Sequence, residues 1–95
     1  MNHKIITLGG GMVGSAIARD LKESGYLVTV ADRDKSVQQH LYQFGIDYVK
    51  LNFLDLDSLK QLVKNYDLVI GAVPGVMGYE VLKTVLHSQK NIVDI

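Results

Sequence analysis

A doubly wound α/β fold, with a parallel sheet in the strand order 3-2-1-4-5, is what the sequence predicts, and three observations predict it. Short apolar runs alternate with stretches of helical period along the chain. The first run ends in glycines at Gly9-x-Gly11-x-x-Gly14, within "TLGGGMVGSAIA". An acid, Asp32, then stands directly after the second run. The alternation alone would also suit the order 2-1-3-4-5; the glycine motif favours the first.

The elements follow in order. Lys4 to Leu8 is a short apolar run that reads as a buried strand. From Met12 the period changes, with Val13, Ala16, Ile17 and Leu21 on one face of a helix and Arg19, Asp20, Lys22 and Glu23 on the other. Gly25 ends that helix, and Tyr26 to Ala31 is a second strand rich in β-branched residues. Val37, Leu41 and Phe44 mark a second helix closed by Gly45, and Ile46 to Leu51 makes a weaker third strand. Leu59, Leu62, Val63 and Tyr66 mark a third helix with Asp55 or Asp57 as its N-cap. Leu68 to Ile70 is a fourth strand, broken by Gly71 to Gly75. Val81, Leu82, Val85 and Leu86 supply a fourth helix, and Asn91 to Ile95 begins a fifth strand. Strands alternating with helices imply right-handed crossovers and a sheet covered on both faces. Residues 1–95 are expected to form a single dinucleotide-binding domain, truncated in or after the fifth strand, with a substrate domain following in a longer enzyme. The apolar fifth-strand edge is expected to pair with another copy of the chain.

Composition excludes several functions. Ten basic residues balance ten acidic ones, and no polybasic run exists to attract nucleic acid. No apolar stretch approaches the roughly 18 residues that cross a bilayer. Cysteine is absent, which removes disulfides, thiolate metal sites and cysteine nucleophiles. His3, His40 and His87 lack ligand-like spacing, so no metal site is expected, and Gly14-Ser15 is not continued as a G-x-S-x-G elbow. No signal peptide is evident, and a cytoplasmic location fits.

The glycine cluster takes its meaning from its context. It follows a strand, opens a helix and lies in one β-α-β unit. Gly9 permits the tight turn, Gly11 lets a pyrophosphate approach the backbone, and Gly14 lets helix and strand pack closely. The helix N-terminus supplies unpaired N–H groups and about half a positive charge. Met12 and Val13 are uncharged, so phosphate binding there rests on backbone donors. Asp32 lies eighteen residues after Gly14 and is suited to accept hydrogen bonds from ribose hydroxyls. A carboxylate at that point favours NAD over NADP. Arg33 argues the other way, since a guanidinium can pair with a 2′-phosphate or stack on adenine; Asp34 restores negative charge. Ala72, Val73 and Pro74, after the fourth strand, are suited to lie along the pyrophosphate and nicotinamide ribose, or to make only a Pro-Gly turn. Asp55 and Leu56 would flank adenine, or Asp55 would simply cap a helix.

At this point "GGGMVGSAIARDL", "VTVADRD", "LDLDSLKQLVKNYDLVIGAVPG" and "NIVDI" resemble the N-terminal, Rossmann-type NAD(P)-binding domain of the saccharopine dehydrogenase family. That family includes saccharopine reductases, lysine 6-dehydrogenases and carboxynorspermidine synthases. The resemblance spans essentially the whole chain. It implies an NAD(P)-dependent oxidoreductase acting at a C–N bond of an amino acid by hydride transfer. It places Gly9, Gly11, Met12, Val13 and Gly14 on the pyrophosphate, Asp32 and Arg33 at the adenosine ribose, Asp55 and Leu56 at adenine, and Ala72 to Pro74 on the nicotinamide side. Substrate recognition in the family comes from a following α+β domain, so no catalytic residue is assigned here. Asp32 departs from the NADP-using saccharopine reductases. A regulatory NAD-binding module of the kind that gates potassium transport is the alternative, and a scaffold without nucleotide the blandest one.

Overall fold

The computed structural model describes residues 3–88 and 90–94. Strands and helices alternate through them as β1 (Lys4–Leu8), α1 (Met12–Glu23), β2 (Leu27–Asp32), α2 (Val37–Tyr42), β3 (Asp47–Lys50), α3 (Leu56–Val63), β4 (Leu68–Gly71), α4 (Gly75–His87) and β5 (Ile92–Asp94). The five strands form one sheet in the order β3-β2-β1-β4-β5, and every neighbouring pair is parallel. This is the expected Rossmann-like order. Because β2 and β4 flank β1 on opposite sides, the chain reverses its lateral direction there. The loops after β1 and β4 therefore part and leave a crevice at the C-terminal edge of the sheet.

Helices cover both faces. On one, Ala18 of α1 and Leu41 of α2 pack with Ile46 against Val28 and Val30 of β2. On the other, Leu59 and Val63 of α3 and Val81 and Val85 of α4 close over Ile6, Leu8, Ala31 and Val69. Burying a side chain of this size contributes roughly 1.5–3 kcal/mol, so these two layers dominate the cohesion of the fold. Helix endings follow the glycines. Gly25 adopts φ +96°; its N–H donates to the Lys22 carbonyl (3.0 Å) and that of Tyr26 to Leu21 (3.2 Å), a Schellman closure. Gly45, at φ +70°, repeats the pattern with Tyr42 and Leu41.

Three details differ from the periodic reading. In α1 the buried residues are Gly14, Ser15 and Ala18, whereas Val13 is 55% exposed and Ala16 is exposed. Hydropathy ranks Val13 above these small residues, but the helix lies too close to the sheet for a large side chain to fit beneath its first turn. β3 runs Asp47–Lys50 rather than Ile46 to Leu51, and its Tyr48 and Val49 are both half-buried. β5 begins at Ile92 rather than Asn91, and Ile95 lies outside the described residues. Among the described residues, no helix is long and apolar enough to cross a membrane.

Candidate functional site

A cleft of about 550 Å³ opens at the C-terminal edge of the sheet, between the loops after β1 and β4. Ten of the twelve residues expected at the site line it: Gly9, Gly11, Met12, Val13, Gly14, Asp32, Arg33, Ala72, Val73 and Pro74. Phe53 and Met77 complete the wall. Neither was foreseen. Phe53 is only 4% exposed and belongs to the core beneath α3 and α4, so its apolar character alone did not set it apart from packing residues.

The glycine turn is built for close approach. Gly9 has φ +102°, and a Cβ there would sit 2.6 Å from the Ala72 carbonyl oxygen, so no other residue fits between the two loops. At Gly14 a Cβ would collide with the Gly9 carbonyl, which confirms the close helix–strand contact expected of it. At Gly11 a Cβ would meet nothing within 4 Å. Its hydrogen faces open space at the mouth of the cleft, as a backbone cradle for an oxyanion requires.

Two side chains hold this turn in place, Asp32, which the sequence singles out, and Ser15, which it does not. Gly10 donates its N–H to Oδ2 of Asp32 (2.6 Å), and the buried Ser15 hydroxyl donates to the Gly10 carbonyl (2.7 Å). Gly10 itself is squeezed: a Cβ would lie 2.7 Å from Val37 and 3.1 Å from Val30. Gly10, which the motif itself does not specify, thus has a packing reason of its own. The second oxygen of Asp32 accepts from the Asp34 amide (2.9 Å), while the Asp32 carbonyl accepts from the Tyr48 hydroxyl (2.9 Å). Burial pushes the Tyr48 pKa up, and the Asp32 and Asp34 charges add to this, so the phenol stays a donor. Hydrogen bonds from the Ser36 hydroxyl and amide hold Asp34 below the usual carboxylate range.

Electrostatics separate the helices at this edge. The first intrahelical bond of α1 runs from the Ser15 amide to the Gly11 carbonyl (2.8 Å), so the amides of Met12, Val13 and Gly14 lie ahead of it. No side chain caps α1, and no acid stands in its first turn. The same holds for α4, which starts after Pro74. By contrast, α3 is closed by Asp55, whose carboxylate accepts from the Ser58 amide (3.1 Å) and hydroxyl (2.7 Å). These bonds hold its pKa below the usual value. Asp55 and Leu56 do not line the cleft; Leu56 packs against the core from the side. Both helix starts that face the cleft are uncapped, as is that of α2, and their partial positive charge is available to an anion.

Comparison with known proteins agrees. Residues 5–95 match the family model described as the saccharopine dehydrogenase NADP binding domain. Apo saccharopine dehydrogenase (L-Glu forming) from Saccharomyces cerevisiae superposes with a TM-score of 0.83 at 24% identity, over 98% of this chain and 21% of that one. AtPrR2 with NADP+ and (+)pinoresinol superposes with a TM-score of 0.79 at 18% identity, over 96% of this chain and 35% of that one. Among curated relatives, a UDP-N-acetyl-alpha-D-glucosaminuronate decarboxylase of Bacillus cytotoxicus is 30% identical over 98 residues, 93% of this chain and 30% of its own length. Shikimate dehydrogenase (NADP(+)) of Methanocella arvoryzae is 30% identical over 79 residues, covering 83% of this chain and 29% of that protein. The chain therefore spans about a third of the curated relatives it matches. The family description names NADP and does not favour the preference for NAD drawn from Asp32; it supports an NAD(P) cofactor. With an α/β sheet in the order 3-2-1-4-5 and an uncapped glycine turn over the cleft, the chain belongs to the saccharopine dehydrogenase NADP-binding domain family.

Proposed function

We propose that this domain holds NAD(P) for an oxidoreductase that transfers hydride at a C–N bond of an amino acid, the substrate being met by a separate α+β domain that follows. The observation that carries the cofactor half of the reading is the Gly9–Gly14 turn, which leaves the first amides of α1 unpaired beside an open cleft. In this reading those amides take the pyrophosphate, Asp32 and Arg33 meet the adenosine ribose, and Ala72, Val73 and Pro74 lie along the nicotinamide half. Asp55 and Leu56 would reach adenine only from outside the cleft wall, where Phe53 stands instead. The cofactor supplies the hydride chemistry, and the domain binds and orients it.

The apolar wall of Ala72, Val73, Pro74 and Met77 favours a hydride-transfer enzyme over a regulatory nucleotide-binding module, because a nicotinamide ring needs such a surface. A cytoplasmic setting suits this role. Titration calorimetry of the folded chain with NADP and with NAD tests the proposal. Saturable binding of either is expected; no binding at millimolar concentrations of both would overturn it. Amino-acid oxidation belongs to the larger enzyme, and assay of that enzyme against amino acids with NAD(P) addresses the substrate class. The β5 edge leaves Val93 half-exposed, and pairing of two copies along it is expected to appear as a concentration-dependent dimer in sedimentation.

A further inference from the structure

A second cavity, of about 480 Å³, lies beside the first, in the groove between α1 and α2. Gly11 and Met12 line both cavities, so the glycine turn is the partition between them. The second one is bounded by Arg19 of α1 and by His40 of α2, which no part of the dinucleotide reading uses. Phe44 places these two side chains side by side. The Arg19 guanidinium carbon stands 3.9 Å from the centre of the Phe44 ring, and the His40 ring meets Phe44 edge-on at 5.6 Å. A guanidinium stacked on a ring keeps its in-plane N–H donors for an anion. His40 Nδ1 lies 3.5 Å from the Gln43 side-chain nitrogen, which can only donate. With Nδ1 as the acceptor of that contact, the neutral imidazole carries its proton on Nε2 and can donate from there.

Asp32, the residue expected to repel a 2′-phosphate, is differently committed than its position suggests. Its two oxygens accept the amides of Gly10 and Asp34, so its charge is partly offset by two N–H dipoles and its first role is to tie the turn to β2. The carboxylate of Asp34 is likewise occupied, by Ser36. The groove behind the turn, with the Arg19 cation and the His40 imidazole on its wall, has room and charge for a further phosphate.

We propose that this second cavity receives the 2′-phosphate of NADP, with Arg19 and His40 as its partners, an inference that rests on the dinucleotide reading of the first cavity. It makes Arg19 and His40 determinants of cofactor choice, although they lie outside the glycine turn and outside the loop after β2.

The test uses two small ligands that differ by that one group, adenosine 5′-phosphate and adenosine 2′,5′-bisphosphate, titrated into the folded chain. The bisphosphate is expected to bind at least about tenfold more tightly, the gain typical of hydrogen bonds to a charged group. Arg19→Gln and His40→Gln, each checked for folding by circular dichroism, are expected to remove most of that ratio, and the NADP-to-NAD affinity ratio should fall with it. Equal binding of the two ligands would overturn the inference while leaving the dinucleotide site intact. A ratio that survives in the double variant would also overturn it, and would put the phosphate on another cation such as Arg33. If the folded chain binds neither ligand and neither cofactor, the dinucleotide reading fails, and this inference fails with it.

Discussion

At the start of α1 and at the start of α4, the chain leaves a central strand, turns through glycine and enters a helix with no side-chain cap. In both, a glycine inside the first turn of the helix lies against a backbone carbonyl of the preceding loop: Gly14 against Gly9, Gly78 against Val73. What differs is how the turn is held. The α1 turn is fixed by polar bonds, from Gly10 to Asp32 and from Ser15 to Gly10. For Ala72 to Gly75 the described side chains provide no such bond; Pro74 restricts the backbone and Val73 and Met77 pack on the core. One turn is shaped for a charged group and the other for an apolar surface, and the two face each other across one cleft. Glycine spacing alone does not distinguish them. The side chains around the glycines do.

The largest expected effect comes from testing the shared feature. Alanine is favoured over glycine in a helix by about 1 kcal/mol. A methyl group forced against a backbone carbonyl costs about 3 kcal/mol, at the upper end for overpacking. Gly14→Ala and Gly78→Ala should therefore each lose about 2 kcal/mol in urea denaturation. Their binding should part company: Gly14→Ala is expected to abolish NAD(P) binding, while Gly78→Ala retains it with reduced affinity. The opposite pattern would mean that the α4 turn is the phosphate site.

Asp32→Ala sharpens the contrast further. It deprives the Gly10 and Asp34 amides of their acceptor, and a loss of about 1.5 kcal/mol together with most of the cofactor affinity is expected. A variant that keeps full affinity would show that the turn needs no polar brace. Ser15→Ala removes the other brace and leaves a carbonyl without its donor, for about 1 kcal/mol measured the same way. Its effect on affinity should be smaller than that of Asp32→Ala, since Ser15 lies outside the cleft.

Asp55 provides the control, because it closes α3, which, unlike α1 and α4, does not open on the cleft. Asp55→Ala should lower the melting temperature without changing cofactor affinity. Its carboxylate is held below the ordinary value of 3.8 in the folded chain by Ser58. The stabilisation is therefore fully present above that value and is lost as pH falls through the lower folded one. The difference between wild type and Asp55→Ala should vanish in acid, and a difference that persists there would assign the effect to packing.

Most of the fold was legible because its signals are local. Runs of β-branched residues, helical periods and glycine stops each act within a few residues, and all the strands and helices appear in the order those signals give, although α2 and α3 end before Phe44 and Tyr66 and β2 is shifted by one residue to Leu27–Asp32. The glycine motif also carried the strand order, since a dinucleotide turn implies a reversal beside β1. The failures share a different cause. Val13 was expected inside and lies outside because helix depth is set by Gly14, a steric fact that hydropathy does not encode. Phe53 and Met77 line the cleft, yet as apolar residues near helix starts they look like any core residue. Ser15 and Gly10 meet only once α1 has folded back over β1, so their bond has no sequence signature. Asp55 was read two ways, and the geometry shows it bonded to Ser58 at the head of α3.

The chain of bonds from Ser15 through Gly10 to Asp32 has one more consequence. The conformational entropy of fixing the turn is lost when the domain folds, before any nucleotide arrives. Association then carries no separate penalty for ordering this loop. The same bond joins the ends of β1 and β2, so in the proposed site a ligand group that engaged Asp32 would also act on the turn that carries the first amides of α1. On the proposed binding mode, adenosine and pyrophosphate would be thermodynamically coupled halves of one ligand.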